Sequence, residues 1–516
     1  MLLAEPDRMA ARMPRWLTRL LVIAVTLIAG VDPIAAAPAP IATGLLNRLT
    51  WGVNAGSMRD IDTVGRSHWI DAQLQMLPAG LPGAAEAQVD AMRIVQEPMA
   101  RLVVELDAQR KAAEATADLD QKKAARDAYN KAMSDLAREA QSRSLLRDLY
   151  APDQLREQMT WFWFNHFNVQ AGKRDIRAMV GDYEDEAIRP HALGRFRDLL
   201  EATLRHPAML RYLDNDQNAV GHINENYARE IMELHTLGVG SGYTQADVQD
   251  LARILTGVGI DLNPSAPKLK PQWQPLYVRA GLFEFNPARH DFGDKHFLGH
   301  VIHGSGFGEV EQALDLIAAA PATARHVSSG LATFFIGDAP PAALVDRMAA
   351  TFERSHGDIA AVLRTLLRSR EFDASLGYSF KDPAHYAVSA VRLAYGNHII
   401  LNTDPLAGWL QRMGEGLFAH ETPDGYPMTS SAWSGPGQME TRFEIARAIG
   451  GGSAGLFRPR DGSTPEQPAF PQIQNAVFFR SLQPQLTAST AGVLAQASSP
   501  QEWNALYLSS PEFMRR

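Results

Sequence analysis

Between Ala84 and Ser144 the chain is rich in Ala, Glu, Gln, Lys and Arg, and only Pro98 interrupts it. Straight-chain residues and alanine lose little freedom in a helix, so this stretch predicts one long helix or a helical hairpin. An arm of that length commits the surrounding domain to helix-on-helix packing. No clean heptad persists along it, which favours a solvated helical arm over a partner-binding coiled coil.

The rest of the chain follows the same period. Short apolar stretches between Leu45 and Leu74, punctuated by Gly52, Gly56 and Gly65, predict two short helices joined by turns. Asp153 to Phe167 predicts a helix whose apolar face gathers Leu155, Met159, Phe162 and His166. A helix over Gly194 to Leu204 is expected to stop at His206-Pro207, where the proline forbids continuation. Asn224 to Leu237 predicts a further helix ended by Gly238, and Thr244-Gln245-Ala246-Asp247 has the form of a capping box that opens another, running to about Thr256. Between Tyr277 and Gly299 the pattern changes to a small hairpin or irregular excursion. Helical periodicity returns from Glu309 through Leu393, broken at Gly337 to Pro341 and near Lys381-Asp382-Pro383. Thr422 to Gly437 reads as a long ordered loop, the kind of segment on which binding groups tend to sit. With neither a fixed repeat nor a low-complexity linker, the fold class is mainly α: a single large multi-helical domain with a small β-hairpin excursion, preceded by a signal peptide.

That signal occupies residues 1–36. Arg8, Arg12, Arg15 and Arg19 precede an apolar run from Leu20 to Ala29, and small residues follow at Ala35, Ala36 and Ala37. The run is about half of the roughly 20 residues that a spanning helix needs, so it predicts cleavage, not anchoring, and no stable membrane span afterwards. The cut is expected after Ala36, because Pro38 would follow a cut at Ala37 directly. The mature domain is then 37–516, with the 84–144 arm within it, in the periplasm or outside the cell. The chain has no cysteine, so thiol chemistry and disulfide bracing are both excluded and stability rests on core packing. A net charge of -8 with scattered Lys and Arg gives no basic footprint for nucleic acid.

Several stretches together resemble one bacterial family of exported proteins, domain-of-unknown-function family 1800. They are Leu45 to Gly52 (LLNRLTWG), Trp161 to Phe167 (WFWFNHF), Ile188-Arg189-Pro190-His191 with Gly194 to Leu200, and His206 to Asn215 (HPAMLRYLDN). Asn224 to Gly238 (NENYAREIMELHTLG), Tyr243 to Thr256, His290 to Gly299 and Ser509 to Phe513 complete the set. The resemblance spans nearly all of the mature chain and implies a secreted, largely helical protein without an assigned activity. It also implies a partner, a co-encoded exported protein similar to sulfatases and alkaline phosphatases. Val258 stands where the family usually has tryptophan, and the segment from Asn218 to Asn224 is short.

The candidate chemistry centres on the Asn224 to Leu237 helix. A rotation of about 100 degrees per residue puts Glu225, Arg229 and Glu233 on one stripe, with Asn226 and Glu230 beside it. As structure, this is an ion-pair ladder at four-residue spacing, contributing a few tenths of a kcal/mol per pair. As chemistry, one carboxyl kept protonated and another kept ionised would divide acid and base work, as glycosidic-bond cleavage requires. Candidate catalytic residues are therefore Glu225, Arg229, Glu233, His290 and Asp291, with Asp214, Asn215, Asn224 and Glu230 as substrate-binding candidates. His290-Asp291, in a loop-like stretch, is the histidine pair expected to reach a cleft. No cofactor is required by the sequence. A divalent metal held by His166, His235 and His290 with a carboxylate is an alternative, opposed by the apolar faces on which the first two lie. No nucleophilic serine elbow or phosphate-cradling glycine loop is present.

The leading expectation is an exported enzyme, of hydrolase type, acting on a cell-envelope or extracellular polymer such as a glycan by carboxylate acid/base chemistry. The rivals are a non-catalytic binding or scaffold protein for the co-encoded partner, and a His/carboxylate metal-dependent hydrolase.

Overall fold

A computed structural model describes residues 41–75, 80–459 and 470–516. Over these residues the chain is a mainly helical single domain with a small open β-sheet excursion. The expected signal segment, 1–36, lies outside the described residues. Among those described, no helix is long and apolar enough to cross a membrane.

The alanine-rich arm is a hairpin. Two short helices, Gly83–Asp90 and Arg93–Gln96, lead into Met99–Ala115, and a tight turn delivers Leu119–Tyr150. Pro98 stands just ahead of the first long helix and Asp118 caps the second, its carboxylate accepting from the Gln121 amide at 2.9 Å. The outer face carries pairs such as Lys131–Asp135 at 2.6 Å and Arg110–Glu114 at 2.8 Å, the arrangement of a solvated face. The far end of Leu119–Tyr150 instead enters the core, burying Leu145, Leu146 and Leu149, each contributing about 2 kcal/mol.

Near the start of the described chain there are three helices, Ile41–Leu49, Ala55–Val64 and Arg66–Gln73, where the sequence predicts two. Gly65, at φ +77°, takes the left-handed turn that splits the second from the third. The LLNRLTWG motif proves to be a clasp. Arg48 is fully enclosed, and its guanidinium donates to the carbonyls of Phe335, Ser375 (2.8 Å) and Arg516 (2.7 Å). One side chain thereby satisfies carbonyls from three distant segments, and burial holds its pKa well below the ordinary value. The WFWFNHF helix, Gln154–His166, packs beside it: Trp161 stacks on Phe334 with ring centroids 5.7 Å apart, and Trp163 donates to the Ala192 carbonyl at 2.9 Å.

The β excursion is larger than a single hairpin. β1 (Val258–Ile260), β2 (Val278–Ala280) and β3 (Phe283–Phe285) form an antiparallel sheet in the order β1-β3-β2, while β4 (Lys295–Phe297) and β5 (His300–Ile302) make a separate hairpin. β1 carries no alternation that a three-residue strand could display in sequence; it exists because Val258 pairs with Phe285 across the sheet. The second hairpin turns through Leu298 at φ +49° and Gly299 at φ +80°, as a two-residue loop of matching twist requires.

The capping box at Thr244 forms and also holds this hairpin. The Thr244 hydroxyl accepts from the Asp247 amide at 3.3 Å and Asp247 accepts from the Thr244 amide at 2.8 Å. The other oxygen of Asp247 accepts from the Leu298 amide, and Asp250 accepts from the His296 amide, both at 2.8 Å. Helix Gln245–Ile254 thus covers the outer edge of β4 with two aspartates. Thr244→Ala is expected to lower unfolding free energy by about 1 kcal/mol, measured by urea denaturation; a change below a few tenths would show that Asp247 alone suffices.

Helices Phe307–Ala319, Pro321–Ile336, Ala342–Arg354, Ile359–Leu367, Arg370–Ser375 and Pro383–Tyr395 follow; the breaks at 337–341 and 376–382 fall where the sequence predicts them or just before, and those at 320, 355–358 and 368–369 are additional.

Candidate functional site

The helix predicted from Asn224 to Leu237 changes its winding partway. Asn226–Glu230 is α-helical, Ile231–His235 is a π-helical turn, and the segment ends at Gly238 with φ +86°. The wider turn alters which carbonyls find partners. Gly238 donates to Met232 at 3.1 Å and the Thr236 hydroxyl donates to Ile231 O at 2.6 Å, while the carbonyls of Leu234 and His235 turn to side chains elsewhere. π-turns of this kind recur at functional sites.

On the exposed side of this helix the predicted ladder is present. Arg229 donates to Glu225 at 3.1 Å, to Glu233 at 3.3 Å and to the Gln245 amide oxygen at 3.0 Å. Glu230 lies beside it. Burial, reinforced by Glu233 and Asp424 and only partly opposed by Arg229, raises the Glu230 carboxyl above its ordinary value. Asp424 comes from the long Thr422 to Gly437 loop, where it accepts hydrogen bonds from the Thr422 hydroxyl and, at 3.4 Å, from His420. Burial, then the neighbouring Glu233 carboxylate, pushes up the phenol of Tyr243, the residue just before the capping box. Tyr243 also lines a groove of about 1020 Å³ that runs between Leu237, Leu298, Val301 and Leu316. Neither Tyr243 nor Asp424 was marked by charge patterning on the helix; Tyr243 opens a stretch that carries the family resemblance, and Asp424 lies in the long polar loop.

Of the other substrate-binding candidates, Asn215 and Asn224 are committed to the backbone and Asp214 to an ion pair. The buried Asn215 amide donates to Val258 O at 2.9 Å and Leu255 O at 3.3 Å, and Asn224 donates to Asp214 O at 3.1 Å. Asp214 adopts φ +56° and pairs with Lys173 at 2.8 Å. These three shape the turn before the helix and bring it against Lys173 and Arg174.

The histidines divide into two neighbourhoods. His166 and His235 come together, ring centroids 6.1 Å apart, and His326 joins them 5.9 Å from His166. His166 Nε2 donates to His235 O and His326 Nε2 donates to Leu234 O, both at 2.9 Å, so two imidazoles satisfy the carbonyls that the π-turn releases. Burial, then His326, pushes His166 down to about 3. A Cβ on Gly238 would stand 2.9 Å from His326 Nδ1, so the absence of a side chain there admits the ring. His326 had no sequence signal, since a helix from a distant part of the chain delivers it.

His290 is elsewhere and does not reach a cleft. Its ring has no exposed surface: Nδ1 donates to Thr256 O at 2.8 Å and Nε2 meets Glu309 at 2.8 Å. Lys295 binds the second oxygen of Glu309, while the oxygen that meets His290 also accepts amide hydrogens from Ser305 at 2.7 Å and Gly306 at 2.9 Å. Asp291 is held at 2.8 Å by Arg253, whose hydrogen bond keeps its carboxyl low. The loop-like sequence around His290 is thus folded inward by a buried carboxylate that the chain supplies later, on the Phe307–Ala319 helix. Among the described residues, no group of three or more His, Cys, Asp and Glu side chains is placed to hold a metal ion.

Comparison with known proteins adds a family and nothing beyond it. A family model described as "Protein of unknown function (DUF1800)" matches residues 44–515. No curated protein matches the chain, and no solved structure does.

Proposed function

Because the chain belongs to the DUF1800 family over residues 44–515, which brings no activity with it, the site must be read from its own chemistry. We propose an exported hydrolase that cleaves a cell-envelope or extracellular glycan, with Glu230 as general acid and Glu233 as general base. The carrying observation is the asymmetry of two neighbouring carboxyls. Glu230 is raised by burial and by acidic neighbours, whereas Glu233 is paired with Arg229. Environments that differ in this way divide acid from base work between chemically similar groups. Glu230 gives its proton to the leaving glycosidic oxygen as Glu233 takes one from the attacking water. The groove beside Tyr243 offers room for a polymer segment, and an aromatic ring with a polar tip suits the face of a sugar. Glu225 balances Arg229 from the other side of the ladder.

The test is release of reducing ends from purified cell-envelope glycan by the isolated chain. Glu230→Gln and Glu233→Gln are each expected to lower turnover at least ~10²-fold with an unchanged melting temperature, while Glu225→Gln retains most activity. Turnover unaltered in Glu230→Gln, or absent in the parent chain, ends the proposal.

A further inference from the structure

A second π-helical turn, Tyr183–Ile188, borders a different cavity. It encloses about 340 Å³ between the base of the helical arm and the Gly83–Asp90 and Arg93–Gln96 helices, within the roughly 300–1,000 Å³ typical of small-ligand pockets. Its lining falls into three kinds of surface. Val89, Ile94 and Ala151 make an apolar wall. Arg143, Arg147 and Arg189 supply guanidinium groups. Glu86, Asp90, Asp182, Asp185 and Glu186 supply carboxylates.

The charges are only partly spent on one another. Asp185 bridges Arg143 at 3.0 Å and Arg147. Arg189 grips Glu157 through Nε at 3.0 Å and Nη2 at 2.6 Å, leaving Nη1 without a hydrogen bond among the described residues. Arg143 and Arg147 direct their terminal nitrogens to Asp185 and the Gly181 carbonyl. Asp182 accepts from His206 at 2.8 Å. The side chains of Glu86, Asp90 and Glu186 make no hydrogen bond or ion pair among the described residues, and all three are exposed at the cavity's edge. One guanidinium N–H, unpaired carboxylates and an apolar wall thus border the same space.

We infer that this cavity binds a free α-amino acid with an aliphatic side chain. The Nη1 group of Arg189 receives its carboxylate, the unpaired carboxylates at the rim receive its ammonium, and Val89, Ile94 and Ala151 cover its side chain. A ligand with only one of these charges leaves the opposite set of groups unmatched, so recognition depends on both ends at once. The site is separate from the Glu230–Glu233 pair and does not rest on it.

The experiment is calorimetric titration of the full chain with L-leucine, L-leucinamide and N-acetyl-L-leucine. Leucine is expected to bind, and each blocked form to bind at least about tenfold more weakly, one lost charge contact being of that size. Glu186→Gln and Glu86→Gln, both exposed and unpaired and therefore safe for the fold, are each expected to weaken leucine by about tenfold with the circular dichroism spectrum unchanged. Arg189→Lys keeps the charge next to Glu157 but removes the idle donor, and is expected to weaken leucine and leave leucinamide unaltered. No binding of leucine at millimolar concentration, equal affinity for leucinamide, or affinity indifferent to both glutamate changes would each overturn the inference.

Discussion

Glu309→Ala is expected to lower the unfolding free energy by about 3–5 kcal/mol, the largest effect of any single charged side chain in or against the β excursion. Glu309, His290 and Lys295 have no exposed side-chain surface. Truncating the carboxylate leaves an ammonium group and an imidazole buried without their acceptor, and strips the Ser305 and Gly306 amides of theirs. The penalty is that of orphaned polar groups, which exceeds the value of the intact contacts. Burial works against the ionised Glu309, yet hydrogen bonds from His290, Lys295 and the Gly306 amide outweigh it and hold the carboxyl near 2, against an ordinary 4.5. A carboxyl depressed in the folded state stabilises fully above its unfolded pKa and loses that contribution as pH falls through the folded one. The difference between the parent chain and Glu309→Gln, followed by urea denaturation, is therefore expected to be constant above about pH 5 and to shrink between about pH 4.5 and 2. A loss under 1 kcal/mol in Glu309→Ala, or a difference indifferent to acid, would show that the surrounding packing and not the ion pair sustains this region.

Gly257→Ala should come next, at about 2–5 kcal/mol, by adding left-handed strain to overpacking. Gly257 holds φ +82°, and a Cβ there would lie 2.6 Å from Asn286 O and 3.4 Å from His290 Cβ. The obstructing atom is backbone, and it cannot rotate away. The same glycine donates to Asn218 O at 3.3 Å and accepts from the Asn286 amide at 2.7 Å, so any shift uncouples the end of helix Gln245–Ile254 from the strands. Gly281→Ala provides the comparison. It has φ +58° with nothing within 4 Å of the new Cβ, and should cost only the conformational part, about 1 kcal/mol. Equal melting temperatures for the two variants would mean that the close approach at Gly257 relaxes freely.

Both predictions concern the region in which sequence and structure diverge most. Helix positions were legible because each is specified by neighbours a few residues away: the Thr244 box, the stop at His206-Pro207 and the Glu225–Arg229–Glu233 ladder need only local spacing. The candidate site was legible to the same depth. The acidic stripe could be placed on one face, but Tyr243 and Asp424, which distinguish Glu233 from Glu230, come from other segments. His290 looked like a loop histidine because the residues around it show no regular period, although Phe285 and Phe292 close on its ring. Glu309 holds it in place by hydrogen-bonding its ring, while Lys295 balances that carboxylate from its other oxygen. The winding of the Ile231–His235 turn was likewise invisible, since an inserted residue per turn is stabilised by the imidazoles of His166 and His326, not by any change in propensity.

What the residues alone determined was the helical class, the hairpin-capable arm, the exclusion of thiol chemistry and the family, because propensity, composition and motif order are properties of short windows and of the chain as text. Which charges are spent on one another, and which face a space with nothing in it to bind, was decided by the tertiary structure. Desolvation and pairing are set by atoms that meet only when segments hundreds of residues apart are packed together.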